Sequence, residues 1–245
     1  MRTHRIYHPA TLVPGKPVEL SEAASNHVAR VLRLAHGTPL ILFNGDGGEF
    51  NTTITAIDKH VVTVTVGDFH NVEREPPFPI WLAQGISRGE RMVYTIQKAV
   101  ELGVSRIIPL FTEHCGVRLD GERMEKRIKH WQGVAISACE QCGRNHVPQI
   151  DLPLTLSQWL ATSENGQRFV LDPVAESTLS QLPSPFGLGP VTLLIGPEGG
   201  LSDQEISIAK EAGYIGLRLG PRILRTETAA LAALAAMLGI WGDFR

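Results

Sequence analysis

Two loops in the last third of the chain carry the residues best suited to chemistry. The first, Gly196-Pro197-Glu198-Gly199-Gly200-Leu201-Ser202, follows the apolar run Leu193-Leu194-Ile195 and sets one carboxylate among three glycines before a new helix begins. Glycines there remove Cβ atoms and let main-chain N–H and C=O groups approach a flat ligand closely. The second loop, Gly220-Pro221-Arg222-Ile223-Leu224-Arg225-Thr226-Glu227-Thr228, follows a strand-like run ending at Leu219 and also opens a helix. Its pair Ile223-Leu224 sits between arginines, an odd place for hydrophobes unless they line a pocket. Each loop alone also reads as an ordinary strand-to-helix turn, with Thr226 as N-cap ahead of Glu227. Two of them on one sheet point to a shared site.

The remaining motifs say less. Cys139-Glu140-Gln141-Cys142 has the spacing of a redox pair or half a zinc site, but no second pair exists and His146 alone does not complete a tetrahedral set. It reads as a helix terminus with incidental thiols, and no metal is expected. The mixed charges of Arg118 to Lys129 read as a solvated helix face. No phosphate-loop, dinucleotide-fingerprint or nucleophile-elbow motif is present, which removes weight from Walker ATPases, ordinary dinucleotide enzymes and α/β-hydrolases.

The elements that must position these loops change character near Pro76-Pro77-Phe78-Pro79. Before it, Pro39 to Phe43, Phe50 to Ile57 and Val61 to Val66 are strand-like, separated by Asn44-Gly45-Asp46-Gly47-Gly48 and Lys59-His60 turns. One helix over Ser21 to Leu34 interrupts them, with Ala24, Val28, Val31 and Leu32 as its apolar stripe. After it, strands Ile80–Ile86, Ser105–Phe111, Phe169–Leu171, Thr192–Ile195 and Ile215–Leu219 alternate with helices over Arg88–Leu102, Asp120–Gln141, Ser202–Ala212 and Thr226–Trp241. Such alternation predicts an α/β domain around a mostly parallel sheet, whose ligands lie beyond the carboxyl ends of the strands. The expected domains are 1–75 and 76–245.

The chain of 245 residues carries 23 Lys+Arg against 25 Asp+Glu, a formal charge of −2. Residues 1–75 hold 7 basic and 8 acidic side chains and the rest 16 and 17, so neither half has the basic excess typical of nucleic-acid binders. Any RNA affinity must come from local patches. Three cysteines, no apolar stretch near Met1, and an apolar run of Ala229 to Trp241 that is too short for a bilayer predict a reducing, cytoplasmic setting with no membrane role.

With these motifs in place the chain resembles the ribosomal small-subunit methyltransferase E family of the SPOUT class. The two loops carry the resemblance, together with Ser87-Arg-Gly-Glu-Arg-Met92, Gln97-Lys-Ala-Val-Glu-Leu-Gly-Val104, Ala138-Cys-Glu-Gln-Cys-Gly-Arg144, Arg5-Ile-Tyr-His-Pro9 and Asn26-His-Val-Ala-Arg-Val-Leu-Arg33. It implies a PUA-like β-barrel domain followed by an α/β domain whose chain end is threaded into a trefoil knot. The implied activity is methyl transfer from S-adenosyl-L-methionine to N3 of uracil 1498 in the 16S rRNA of the small ribosomal subunit, by a homodimer that binds neither DNA nor membrane.

Carried onto this chain, the resemblance places Leu171, Ile195, Gly196, Glu198, Gly199, Gly200, Leu219, Gly220, Ile223, Leu224 and Thr226 around the cofactor. Arg225, then Arg88, are the candidates for stabilising charge on the uracil carbonyls. Glu198 or Glu227 could accept the N3 proton, and the residues leave that base unassigned. Arg5, Arg30 and Arg33 are the implied RNA contacts, the last two three apart on one helical face. The alternatives are a non-catalytic RNA-binding assembly factor on the same fold, or a related enzyme acting on ribose 2′-OH or another base.

Overall fold

The computed structural model describes residues 3–59, 61–117, 120–162 and 165–244. Arg118, at the head of the mixed-charge run, and His60, in the expected turn, lie outside them. The chain divides into two units, residues 1–74 with 139–147, and residues 75–138 with 148–245. The expected break after residue 75 therefore needs correcting, because nine residues further along return to the first unit. The polar groups of that segment are met there: Tyr7 donates its main-chain N–H to Glu140 (2.9 Å), Asn145 donates to the Val72 carbonyl (2.7 Å), and Arg74 donates to the Gly143 carbonyl (2.7 Å).

The first unit contains β1 (His4–Tyr7), β2 (Pro17–Glu19), α1 (Glu22–Asn26), β3 (Pro39–Phe43), β4 (Glu49–Ile57) and β5 (Val62–His70). They form a five-stranded sheet in the order β1-β3-β4-β5-β2, antiparallel except for β1 against β3. Alternate residues of β5 turn inward, so Val62, Val64 and Val66 join Ile6, Leu40, Leu42 and Ile54 in one core. The helix expected over residues 21–34 starts as predicted, with Ser21 Oγ accepting the Ala24 N–H, but α1 ends at Asn26 and a π-helical turn, His27–Val31, replaces the rest. The wider turn keeps Val28 buried but does not bring Val31 back to its face, so Val31 is 63% exposed. Arg33 then turns out of it at φ 53°.

The second unit contains β6 (Ile80–Gly85), α2 (Glu90–Glu101), β7 (Arg106–Phe111), α3 (Gly121–Cys142, its last turn counted with the first unit), β8 (Gln149–Ile150), β9 (Leu154–Thr155), α4 (Leu156–Leu160), β10 (Gln167–Leu171), β11 (Val191–Ile195), α5 (Asp203–Glu211), β12 (Ile215–Leu217) and α6 (Thr226–Ile240). All seven strands are parallel, in the order β12-β10-β11-β6-β7-β8, with β9 also paired to β7. β11 is buried along its whole length, which explains its unbroken apolar sequence. Helices cover the sheet: α2 turns Met92, Ile96, Ala99 and Val100 inward, and α6 packs on α2 and buries Ala230, Ala233, Leu234, Met237 and Leu238. This strand order sets the ends of β10, β11 and β12 side by side, and both motif loops leave from there.

Candidate active site

The first motif loop leaves β11 at Ile195, whose register partner on β6 is Gln84. Gln84 is buried, and its side-chain amide donates to Thr226 Oγ1 (2.9 Å) and to the Gly196 carbonyl (3.2 Å). Thr226 Oγ1 in turn donates to the Gly196 carbonyl (2.6 Å). This buried network fastens the first loop to the first residue of α6, where the second loop ends. Thr226 is thus a buried tie and not the expected N-cap, a position taken by Arg225.

A capping box holds the far side of the first loop. Ser202 Oγ accepts the Glu205 N–H, Glu205 accepts the Ser202 N–H (3.0 Å), and the other Glu205 oxygen accepts the Glu113 N–H (2.8 Å). The glycines here also serve packing. A Cβ on Gly196 would stand 2.6 Å from the Gly200 carbonyl carbon, and one on Gly199 would stand 2.7 Å from His114 Cβ. The neighbours these two glycines admit in place of a side chain are protein atoms. Gly200 and Gly220 are required instead by left-handed φ angles of 73° and 77°.

Together the loops and strand ends enclose a cavity of about 510 Å³. Leu171 from β10 and Ile195 from β11 line it, as do Gly196, Glu198, Gly199 and Gly200 of the first loop and Leu219, Gly220, Ile223, Leu224 and Thr226 of the second. Every residue carried over to the cofactor therefore falls on one wall system. Leu224 is half-buried, whereas Ile223 stands 86% exposed at the rim. Arg225 also lines the cavity, is exposed, and has no hydrogen bond or ion pair to its side chain among the described residues.

Arg88 stands differently from expectation. It donates its main-chain N–H to Glu198 (2.9 Å) and is not among the residues lining the cavity, while its guanidinium lies over Gly116. Arg91, in the first turn of α2, does reach the cavity, where it donates to Glu198 Oε1 (3.0 Å) and lies 4.0 Å from Glu227 Oε1. Sequence reasoning missed it, and also Gln84; the helix starts at Glu90 and not at the expected Arg88, which leaves Arg88 ahead of it and Arg91 in its first turn. Burial pushes the Glu198 carboxyl up, but the N–H groups of Arg88 and of Glu198 itself, with the Arg91 guanidinium, outweigh it and hold the group below the usual glutamate value.

The three arginines assigned to RNA are not equivalent. Arg5 is a correction: its side chain is 7% exposed, ion-paired to Glu49, bonded to Asn145 Oδ1 and set 4.8 Å over the Phe43 ring. A guanidinium buried and held on several sides in this way is part of the scaffold. Arg30 and Arg33 are exposed, but Arg30 lies in the π-turn and Arg33 in the left-handed residue beyond it, so they do not share the expected helical face. The cysteines are free thiols, and no group of metal-ligating side chains occurs among the described residues.

Residues 74–238 match the RNA methyltransferase domain family, and residues 20–67 match the RNA methyltransferase PUA domain. The fold and cavity thus define an RNA methyltransferase domain with a PUA domain ahead of it. Over 243 residues the chain is 38% identical to ribosomal RNA small subunit methyltransferase E of Buchnera aphidicola subsp. Schizaphis graminum, covering 99% of this chain and 98% of that one. The same protein of Bacillus subtilis is 32% identical, with 86% of each chain covered. The chain belongs to the ribosomal RNA small subunit methyltransferase E family. Among solved structures, a putative methyltransferase of Legionella pneumophila in complex with SAM superposes with a TM-score of 0.96 at 44% identity, and a ribosomal RNA small subunit methyltransferase E of Neisseria gonorrhoeae bound to S-adenosyl methionine with 0.93 at 38%, each covering both chains in full.

Proposed function

We propose that this protein transfers a methyl group from S-adenosyl-L-methionine to N3 of uracil 1498 of 16S rRNA. In this reading the substrate lies within the small ribosomal subunit, the enzyme is a cytoplasmic homodimer, and the second unit is a SPOUT domain with a trefoil knot. The carrying observation is that both motif loops, distant in sequence, close one cavity at the carboxyl ends of parallel strands. Its volume lies within the roughly 300–1,000 Å³ usual for small-molecule sites. Leu171, Ile195, Leu219 and Leu224 offer aliphatic walls for a flat base, so the residues present fit the methyl donor.

S-adenosylmethionine supplies, when bound, an activated methyl on a sulfonium sulfur. The chain's own residues then have two tasks. The first is alignment, and holding two reactants in line contributes up to about 7–11 kcal/mol to barrier lowering. Gly196, Thr226 and Gln84 serve it by locking the two loops in one arrangement. The second is charge. Losing the N3 proton spreads negative charge onto O2 and O4, and Arg225, permanently cationic and without a side-chain partner among the described residues, is suited to receive it. Because N3 lies on the Watson–Crick edge, the uridine must leave its stack, at a cost of roughly a few kcal/mol. Arg30 and Arg33 in the first unit are suited to phosphate contacts that offset it.

The test is labelled methyl donor incubated with undermodified small subunits and, separately, with naked RNA, with product nucleosides identified by mass. Wild-type protein should label uracil N3, and subunits better than naked RNA. Arg225→Ala should lower turnover by about 10²–10³-fold, the usual loss for one oxyanion donor. Label on ribose or another base would overturn the assignment, and undiminished turnover would remove Arg225 from it.

A further inference from the structure

We propose that Glu227 is the catalytic residue that takes the N3 proton, and that Glu198, its neighbour across Arg91, does not. The inference rests on the function proposed above and assigns the base within it. Among the described residues lining the cavity there is no His, Cys, Lys or Tyr, so a proton acceptor must come from Asp172, Glu198 or Glu227. Asp172 is committed on both oxygens, to Lys210 Nζ (2.8 Å) and to the Val174 N–H (3.0 Å). Glu198 Oε1 accepts from Arg88 N–H and Arg91 together, and these donors hold the carboxylate in its weakly basic, ionised form. Glu227 has Arg91 at 4.0 Å from Oε1, while its Oε2 is shielded from solvent and receives no hydrogen bond. Of the three carboxylates, Glu227 is thus the one that accepts no hydrogen bond among the described residues.

The placement also matches the shape of uracil. N3–H lies between the carbonyls at C2 and C4, so an acceptor for the proton and a cation for the oxygens must address one edge of the ring. Glu227 and Arg225 are two residues apart at the start of α6 and line the same cavity. The other charged groups around it are Arg91 from α2, Glu198 from the first loop, Asp172 after β10 and Arg222 before α6. In the step, the N3 proton passes to the Glu227 carboxylate and the N3 electron pair forms the bond to the methyl carbon. The methyl–sulfur bond breaks, its electrons remain on sulfur as a neutral thioether, and Glu227 later returns the proton to water.

The experiment compares wild type, Glu227→Gln and Glu227→Asp on undermodified small subunits, with S-adenosylmethionine affinity measured separately by calorimetry. Glu227→Gln should lose about 10²-fold or more in kcat, as expected for removal of a general base, with cofactor affinity within about threefold of wild type. Glu227→Asp, which keeps the carboxylate, should recover part of the rate. Turnover of Glu227→Gln within about threefold of wild type would overturn the assignment, and so would lost cofactor binding as the sole cause of a slow variant. A wild-type product methylated elsewhere than uracil N3 would instead overturn the function on which it rests.

Discussion

In the first unit Arg5 and Arg74 converge on Glu49; in the second, Arg91 bonds Glu198 and lies near Glu227. Both clusters use guanidinium and carboxylate, yet their surroundings differ. Around Arg5 the carboxylate is 11% exposed, and Asn145, the Arg144 carbonyl and the Phe43 face complete the shell. Around Arg91 the guanidinium is 46% exposed, and among the described residues Glu227 Oε2 has no donor and Arg225, lining the same cavity, has no hydrogen bond or ion pair to its side chain. A buried pair held by several partners away from any cavity is scaffold. An incomplete one beside a cavity leaves capacity for a substrate.

That contrast predicts unequal damage. Arg5→Ala leaves the Glu49 charge buried with only Arg74 beside it, and should cost about 3–5 kcal/mol in denaturant unfolding. The pH dependence should change with it. Burial raises the Glu49 carboxyl, but hydrogen bonds and charge from Arg5 and then Arg74 bring it below its usual 4.5. A depressed carboxylate adds stability that is present above pH 4.5 and lost as pH falls through the folded value, so the acid side of the wild-type stability curve should be steeper than that of Arg5→Ala. Unfolding at wild-type denaturant concentration would erase the distinction between the clusters.

Arg91→Ala should change unfolding by about 1 kcal/mol or less, because half-exposed pairs contribute little, while its turnover falls as Glu198 and Glu227 lose their common partner. Parallel stability and activity measurements separate the two effects, and a large stability loss would make the second cluster scaffold as well. The smallest effect belongs to Arg30→Ala. Removing one exposed phosphate contact should lower the slope of log affinity against log salt by about 0.7–0.9 and leave stability unchanged. A slope equal to wild type would take Arg30 out of the RNA contact.

The parts legible in the sequence were those with a strong local cause. β11 reads as a strand because it is buried on both faces, and the two loops read as a site because glycine, proline and charge interrupt apolar runs at strand ends. β8, β9 and α4 are two to five residues long and too short to show a period. The strand order was not legible, and without it nothing connects Gln84 to Gly196 and Thr226, or Arg91 to Glu198. Nor does composition distinguish Arg5 from Arg30: both are arginines near basic or polar neighbours, and only the return of residues 139–147 to the first unit buries one of them. The π-turn escaped for a related reason, since the apolar spacing of Val28 and Val31 fits an ordinary helix equally well.

The tight contacts of the first loop bear on how this pocket could be re-engineered. Gly85 would place a Cβ 2.5 Å from Pro197 N, and Gly196 and Gly199 are nearly as close to their own neighbours. At these glycines the wall is main chain pressed against main chain or a Cβ. Room for a donor bearing a larger alkyl group has to be cut from the other side, where Leu171, Leu219 and Leu224 present removable methyl groups to the same cavity.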